Sequence, residues 1–163
     1  MNKLFAISIA AVVFAATPAL AQDLGIEVGA TAPAVAVQSL DGKTVSLANY
    51  FGKQPVLIEF WATWCPNCRE LMPALLDAEK KYGSKVKFIA IAVAINQSPE
   101  KVRRWLAAHP LPHDTYYDVD GKAAGAFDAP ATSYVVVLDK SGRVVYTGLG
   151  GKQDLESALK KAL

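Results

Sequence analysis

Cysteine is scarce in this chain: 163 residues contain two, alongside two methionines and two histidines. So few cysteines exclude a disulfide-stapled scaffold, and the chain offers few soft ligands for a metal. Long apolar runs are also missing. The stretch from Leu4 to Ala16 is shorter than the roughly 20 residues that cross a bilayer, and Pro18 interrupts its end. Charge of one sign is not in excess either, with 17 Lys and Arg against 15 Asp and Glu. A net charge of +2 is too balanced to point to nucleic acid or an acidic membrane as a partner. Internal repeats and low-complexity segments are absent from the sequence.

What is present begins with Met1-Asn2-Lys3, the apolar stretch, and Thr17-Pro18-Ala19-Leu20-Ala21. Basic, hydrophobic and small-residue segments in that order describe a cleavable export signal, with Ala19 and Ala21 as the cleavage pair. Residues 1–21 are therefore expected to be removed, and 22–163 to form one ordinary domain.

Within that domain, Val35 to Leu40 and Thr44 to Leu47 flank Asp41-Gly42, a strong hairpin signal. Pro55 to Trp61 is nearly all apolar and rich in β-branched and aromatic residues, which predicts a central strand covered on both faces; Glu59 is its exception. Leu71, Met72, Leu75, Leu76 and Tyr82 recur at helical spacing up to Gly83, with Pro73 expected to kink the helix. Val86 to Ile95 reads as a second buried strand. Ser98-Pro99-Glu100 then opens a helix that ends at His109-Pro110. A short strand over Thr115 to Val119 and a helical turn over Lys122 to Phe127 follow. Tyr134 to Leu138 and Arg143 to Tyr146 make a hairpin around Asp139-Lys140-Ser141-Gly142, and a final helix starts at Asp154. This order implies an α/β domain with a central mixed sheet flanked by helices, whose reactive site lies at the carboxyl ends of the strands.

Cys65 and Cys68 fall where the central strand gives way to the first long helix. Closing so short a loop removes little entropy from the unfolded chain, so stapling is a weak explanation for the pair. Thiol-disulfide exchange is a stronger one, because it needs an attacking thiolate and a second thiol near enough to resolve the mixed disulfide. A cysteine at a helix N-terminus faces unpaired N–H groups and the positive end of the helix dipole, which favours its thiolate. Cys65 is therefore the expected nucleophile. Pro66 is tolerated in the first turn, and Cys68, one turn further in and expected to be more buried with a higher pKa, is the expected resolving thiol.

Phe60-Trp61-Ala62-Thr63-Trp64-Cys65-Pro66-Asn67-Cys68 resembles the active-site segment of the extracytoplasmic thioredoxin-like family that includes the cytochrome-maturation reductases (TlpA/ResA-like). The resemblance extends upstream through Leu40 to Leu47 and Tyr50-Phe51-Gly52-Lys53. Downstream it takes in Pro73, the Val86 to Ile95 strand and Val137 to Gly142. It implies a thioredoxin-like fold with an N-terminal β-hairpin extension and a central helix-containing insertion. It also implies reduction or exchange of disulfides in other exported proteins, in the periplasm or extracytoplasmic space of a bacterium. A membrane electron donor would keep such a protein reduced; no cofactor is expected, and the chain is expected to act as a monomer.

Two positions depart from the family pattern. Glu59 stands six residues before Cys65, where thioredoxins are similar in having a buried aspartate. An apolar strand would desolvate this carboxyl and raise its pKa, fitting it to exchange a proton with Cys68; the alternative is a structural carboxyl paired with a lysine. The second departure is the cis-proline loop, which in the family presents a backbone edge to substrate. Ungapped counting back from Asp139-Lys140-Ser141-Gly142 puts Ser133, after Thr132, in that slot, whereas Pro130 would need a longer loop. The ungapped register is preferred, although a cis bond before a residue other than proline is rare and costly. Trp64, Pro66, Thr132, Ser133 and Pro130 are the candidate substrate-contacting residues, with Trp61 and Trp105 assigned to packing.

Other chemistries fit less well. Cys65-x2-Cys68 and His109-x3-His113 offer four zinc ligands, but 40 residues separate the pairs and Pro110 and Pro112 distort the second. A copper chaperone using the same cysteines would need a methionine or histidine ligand that is not evident. A peroxidase of related fold needs a threonine three residues before its reactive cysteine, where this chain has Ala62. Whether the exchange runs as reduction or as thiol oxidation depends on the reduction potential, which these residues do not announce.

Overall fold

The computed structural model describes residues 25–163, so the leader expected over 1–21 lies outside the described residues. Seven strands and four helices follow one another in chain order. They are β1 (Ala36–Ser39), β2 (Thr44–Ser46), β3 (Val56–Trp61), α1 (Pro66–Tyr82), β4 (Lys87–Val93), α2 (Pro99–Ala108), β5 (Asp114–Asp118), α3 (Lys122–Ala126), β6 (Tyr134–Leu138), β7 (Val144–Leu149) and α4 (Leu155–Lys160). A single 3-10 turn, Leu47–Tyr50, separates β2 from β3. One sheet runs in the order β2-β1-β5-β4-β3-β6-β7. β3, β4 and β5 are parallel, while β6 and β7 at one side and β1 and β2 at the other are antiparallel additions.

Local chemistry accounts for the boundaries. In the β1–β2 turn Gly42 takes φ 91°, which a side chain would resist. Ser98 caps α2 by accepting the Lys101 N–H at 3.3 Å, and Pro99 fills the first turn, where its missing N–H costs nothing. α1 runs unbroken through Pro73, so the expected kink does not interrupt the helix; Pro73 faces solvent, and only one backbone hydrogen bond is forgone. α1 stops at Gly83, where a Cβ would sit 2.6 Å from the Glu79 carbonyl oxygen.

β3 is buried along its whole length because both its faces are covered. On one face Leu57 packs with Leu71 and Leu75 of α1 and Leu155 and Leu159 of α4. On the other, Phe60 meets Phe127 and Tyr134 with ring centroids 5.6 and 6.0 Å apart. Full burial of side chains of this size stabilises by about 1.5–3 kcal/mol each before entropy is charged. The hairpin β1–β2 joins the same sheet through β5, so the insertion α2–β5 links the N-terminal extension to the strands that carry the cysteines.

Candidate active site

β3 delivers the chain to Ala62, and a turn closed by the Cys65 N–H on the Ala62 carbonyl (3.1 Å) sets Cys65 as the N-cap of α1. Its sulfur replaces the usual capping oxygen and accepts the Cys68 N–H at 3.0 Å. Cys65 and Cys68 are joined as a disulfide, with Cα atoms 5.4 Å apart. Both residues are nearly enclosed, at 2% and 3% exposure. Exposure therefore does not set Cys68 deeper than Cys65; the difference between them is position relative to the helix end. Only the Cys65 sulfur occupies the cap, where N–H groups and the dipole favour a thiolate once the bond is reduced.

Around the cysteines, Trp64, Pro66 and Asn67 are exposed. The Trp64 indole N–H donates to the Ile95 carbonyl at 2.8 Å, which lays the ring along the loop after β4. Gln97, which periodicity could not single out, holds this arrangement. Its Oε1 accepts the Thr63 N–H at 2.9 Å, its Nε2 donates to the Val93 carbonyl at 2.6 Å, and its own carbonyl accepts the Tyr117 hydroxyl at 2.7 Å. Beside Trp64 opens a mostly apolar groove of about 630 Å³, lined by Ile95, Val119, Ala129, Pro130 and Thr132 among others. Trp64, Pro130 and Thr132 thus meet on one surface. Pro66 sits at the helix start and does not line that groove.

Ser133 is placed differently from its neighbours. It is fully buried and directly precedes β6. Its N–H donates to the Phe60 carbonyl (2.8 Å), its hydroxyl to the Gly150 carbonyl (3.0 Å), and its carbonyl accepts both the Gly150 N–H (3.0 Å) and Gln153 Nε2 (3.0 Å). No backbone edge of Ser133 is left for a substrate. It adopts φ 64°, a costly conformation for a side-chain-bearing residue, and these four bonds hold it there. No peptide bond is cis among the described residues.

Glu59 is 5% exposed, and burial pushes its carboxyl up to about 8. Its Oε1 has no hydrogen-bond partner among the described residues. The lysine pairing therefore has no support, whereas the raised pKa expected from an apolar strand is present. Strand alternation turns Glu59 to the face of Leu57, which packs on Leu71 and Leu75 of α1, and Cys68 is among the buried residues of that same helix. Trp61, buried, and Trp105, half-buried, pack together with centroids 4.9 Å apart, as expected for packing residues.

The histidines do not approach the cysteines as a set. His113 Nδ1 lies 2.6 Å from Glu79 Oε2, and His109 stacks on Trp105 at 4.5 Å. Among the described residues no three His, Cys, Asp or Glu side chains are grouped so as to hold a metal ion.

The model of the Redoxin family matches residues 27–163, nearly the whole of the described chain. The chain belongs to the Redoxin family. It is 32% identical over 143 residues to the thioredoxin-like protein YneN of Bacillus subtilis, covering 85% of this chain and 82% of that one. To the thiol-disulfide oxidoreductase ResA of Bacillus thuringiensis it is 33% identical over 138 residues, covering 83% and 79%. Among solved structures, a putative thioredoxin from Neisseria meningitidis matches with a TM-score of 0.70 at 31% identity, over 80% of this chain and 88% of that one. A putative thiol:disulfide interchange protein DsbE from Chlorobium tepidum matches with a TM-score of 0.72 over 84% and 95%, and at 22% identity it supports the fold alone. The fold is thioredoxin-like, and this Redoxin protein is a thiol-disulfide oxidoreductase with a Cys65–Cys68 pair at bonding distance.

Proposed function

We propose that this Redoxin protein is an exported disulfide reductase that acts on the disulfides of other exported proteins. The observation that carries this reading is the Cys65 sulfur at the α1 N-cap, accepting the Cys68 N–H beside an exposed indole and an apolar groove. In the reduced protein the Cys65 thiolate attacks one sulfur of a client disulfide. The client's disulfide bond breaks, a mixed disulfide forms, and the departing client thiolate takes a proton. Cys68 then gives up its proton, with the Glu59 carboxylate as acceptor, and attacks the Cys65 sulfur. The second client thiol leaves, and the Cys65–Cys68 disulfide holds the two-electron oxidation. A carboxyl with a pKa of about 8 is matched to a thiol of ordinary pKa, which is the condition for efficient transfer between them.

Trp64, Pro130 and Thr132 form the client-facing rim; Pro66 lies outside it at the start of α1, and Ser133, next to Thr132 in the chain, is buried. A membrane-bound donor would return the pair to the dithiol state. Export rests on the leader read over Met1 to Ala21, and a secreted product whose first residue is Gln22 is the expected result of N-terminal sequencing. No helix among the described residues is long and apolar enough to cross a membrane.

The deciding experiment is the equilibrium reduction potential of the Cys65–Cys68 couple, measured in dithiothreitol or glutathione buffers with the reduced fraction followed by alkylation. A value near about −270 mV supports an electron-donating reductase, whereas one near about −120 mV marks an oxidant and overturns the direction proposed.

A further inference from the structure

Residues 94–98 join β4 to α2 and carry Ile95, 61% exposed, which lines the apolar groove together with Trp64, 39% exposed. Two large apolar side chains left in solvent at one groove mark a contact surface. Val93 and Ala94 line the same groove, so this loop supplies part of its wall. The loop turns at Ile95 and Asn96, and Asn96 takes φ 53°, a left-handed conformation that asparagine tolerates better than most residues.

Side chains tie this loop to the cysteine turn. The Trp64 indole N–H donates to the Ile95 carbonyl at 2.8 Å, and the Thr63 backbone N–H donates to Gln97 Oε1 at 2.9 Å. The two residues that lead into Cys65 are thus clasped to Ile95 and Gln97. Gln97 is itself fixed by both neighbouring strands: its Nε2 donates to the Val93 carbonyl at the end of β4 (2.6 Å), and its carbonyl accepts the Tyr117 hydroxyl from β5 (2.7 Å). An amide is the group this position needs, because it accepts from Thr63 and donates to Val93 at once. Thr63 Oγ1 has no partner among the described residues, so Thr63 is held through its N–H and not through its side chain.

We propose that Gln97 is a positioning residue for client specificity: by clasping the Ile95 loop to Thr63, it keeps the groove wall in register with Cys65, so that a protein client meets the groove and the reactive sulfur in one docking. The inference rests on the reading of Trp64 and the groove as the client-facing surface. Gln97 acts through Thr63 and the Ile95 loop and takes no part in the bond exchange itself. Without its amide the loop populates other arrangements, and the apparent affinity for a client falls with the fraction of molecules that keep the competent one. A small disulfide reaches Cys65 without the groove and does not sense that fraction.

Steady-state reduction of insulin, with dithiothreitol as the electron source, tests this beside single-turnover oxidation of the reduced protein by bis(2-hydroxyethyl) disulfide. Gln97→Met keeps the length of the side chain and loses both amide bonds. Its KM for insulin should rise about three- to tenfold, the range that one lost hydrogen bond gives, while kcat and the rate with the small disulfide stay within about twofold. Hydrogen exchange at the Thr63 amide should quicken in the same variant, which reads the clasp independently of activity. Ile95→Ala, which leaves every bond of Gln97 in place, should raise the same KM. An unaltered insulin KM in Gln97→Met overturns the inference, as does equal slowing with insulin and the small disulfide, or an unchanged Thr63 exchange rate. Failure of the client-facing reading has a separate signature: Trp64→Ala and Ile95→Ala then leave the insulin KM unaltered too, whereas failure of the Gln97 inference alone leaves it raised in those two variants.

Discussion

Substituting Glu59 by Gln changes how stability depends on pH, and the size of the change follows from burial. The carboxyl titrates at an ordinary 4.5 in the unfolded chain and at about 8 in the folded protein, raised by desolvation. Between those values the unfolded state releases a proton that the folded state keeps. The stability associated with protonated Glu59 is therefore fully present below pH 4.5 and is lost as pH rises to about 8. At about 1.4 kcal/mol per unit, the loss is about 3 kcal/mol at pH 7 and about 5 kcal/mol above pH 8. A loss of that size is a large part of the total stability of a domain, about 5–15 kcal/mol. The assay is urea unfolding of the oxidised protein at intervals from pH 5 to 8.5, beside oxidised Glu59→Gln. Wild-type stability should fall across this range, and the Glu59→Gln protein should lack that fall; any constant offset from burying an amide is immaterial. Both histidines are present in both proteins and cancel. Asp41, Asp139, Asp154 and Glu156, whose pKa values are lowered by hydrogen bonds and nearby charges, act below this window and in the opposite sense. Parallel profiles for the two proteins between pH 5 and 8 would refute the reasoning.

Cys68→Ser should leave Cys65 able to attack but unable to be released, so mixed disulfides with clients accumulate and dissolve on reduction in non-reducing gels; Cys65→Ser should form none. Ser133→Pro demands φ near −65° where the chain has 64° and removes the N–H that Phe60 accepts, so it should cost about 3 kcal/mol or more in chemical denaturation. Ser133→Ala, losing only the bond to Gly150, should cost about 1 kcal/mol. Trp64→Ala should slow exchange with a protein disulfide while leaving the rate with a small dithiol little changed; equal slowing of both would place the indole in the chemistry rather than in docking.

Much of this architecture is local in origin and was legible as such. The Asp41-Gly42 turn, the apolar β-branched run of β3, the Ser98-Pro99 cap and the Cys65-Pro66-Asn67-Cys68 helix start are each specified by neighbours in sequence. Backbone preference and side-chain period act there over a few residues. Glu59 was readable for the same reason, since a lone carboxyl in an apolar strand must be desolvated wherever that strand goes. Strand ends were less so: β7 runs on to Leu149, beyond the alternation that ends at Tyr146, because pairing with β6 extends it.

The tertiary structure decided what meets across the sheet. Gln97 ties the cysteine turn to β4, His113 leaves the zinc pattern to face Glu79, and Ser133 spends its backbone on Phe60 and Gly150 instead of on a substrate. These partners lie from 17 to 73 positions apart, and no periodicity in the chain encodes such distances. Sequence alone determined the reactive pair, the desolvated carboxyl and the order of elements, because each follows from short-range chemistry. Which polar atoms found partners, and which, such as Glu59 Oε1, were buried without one among the described residues, was settled only by the register of three parallel strands beneath two helices.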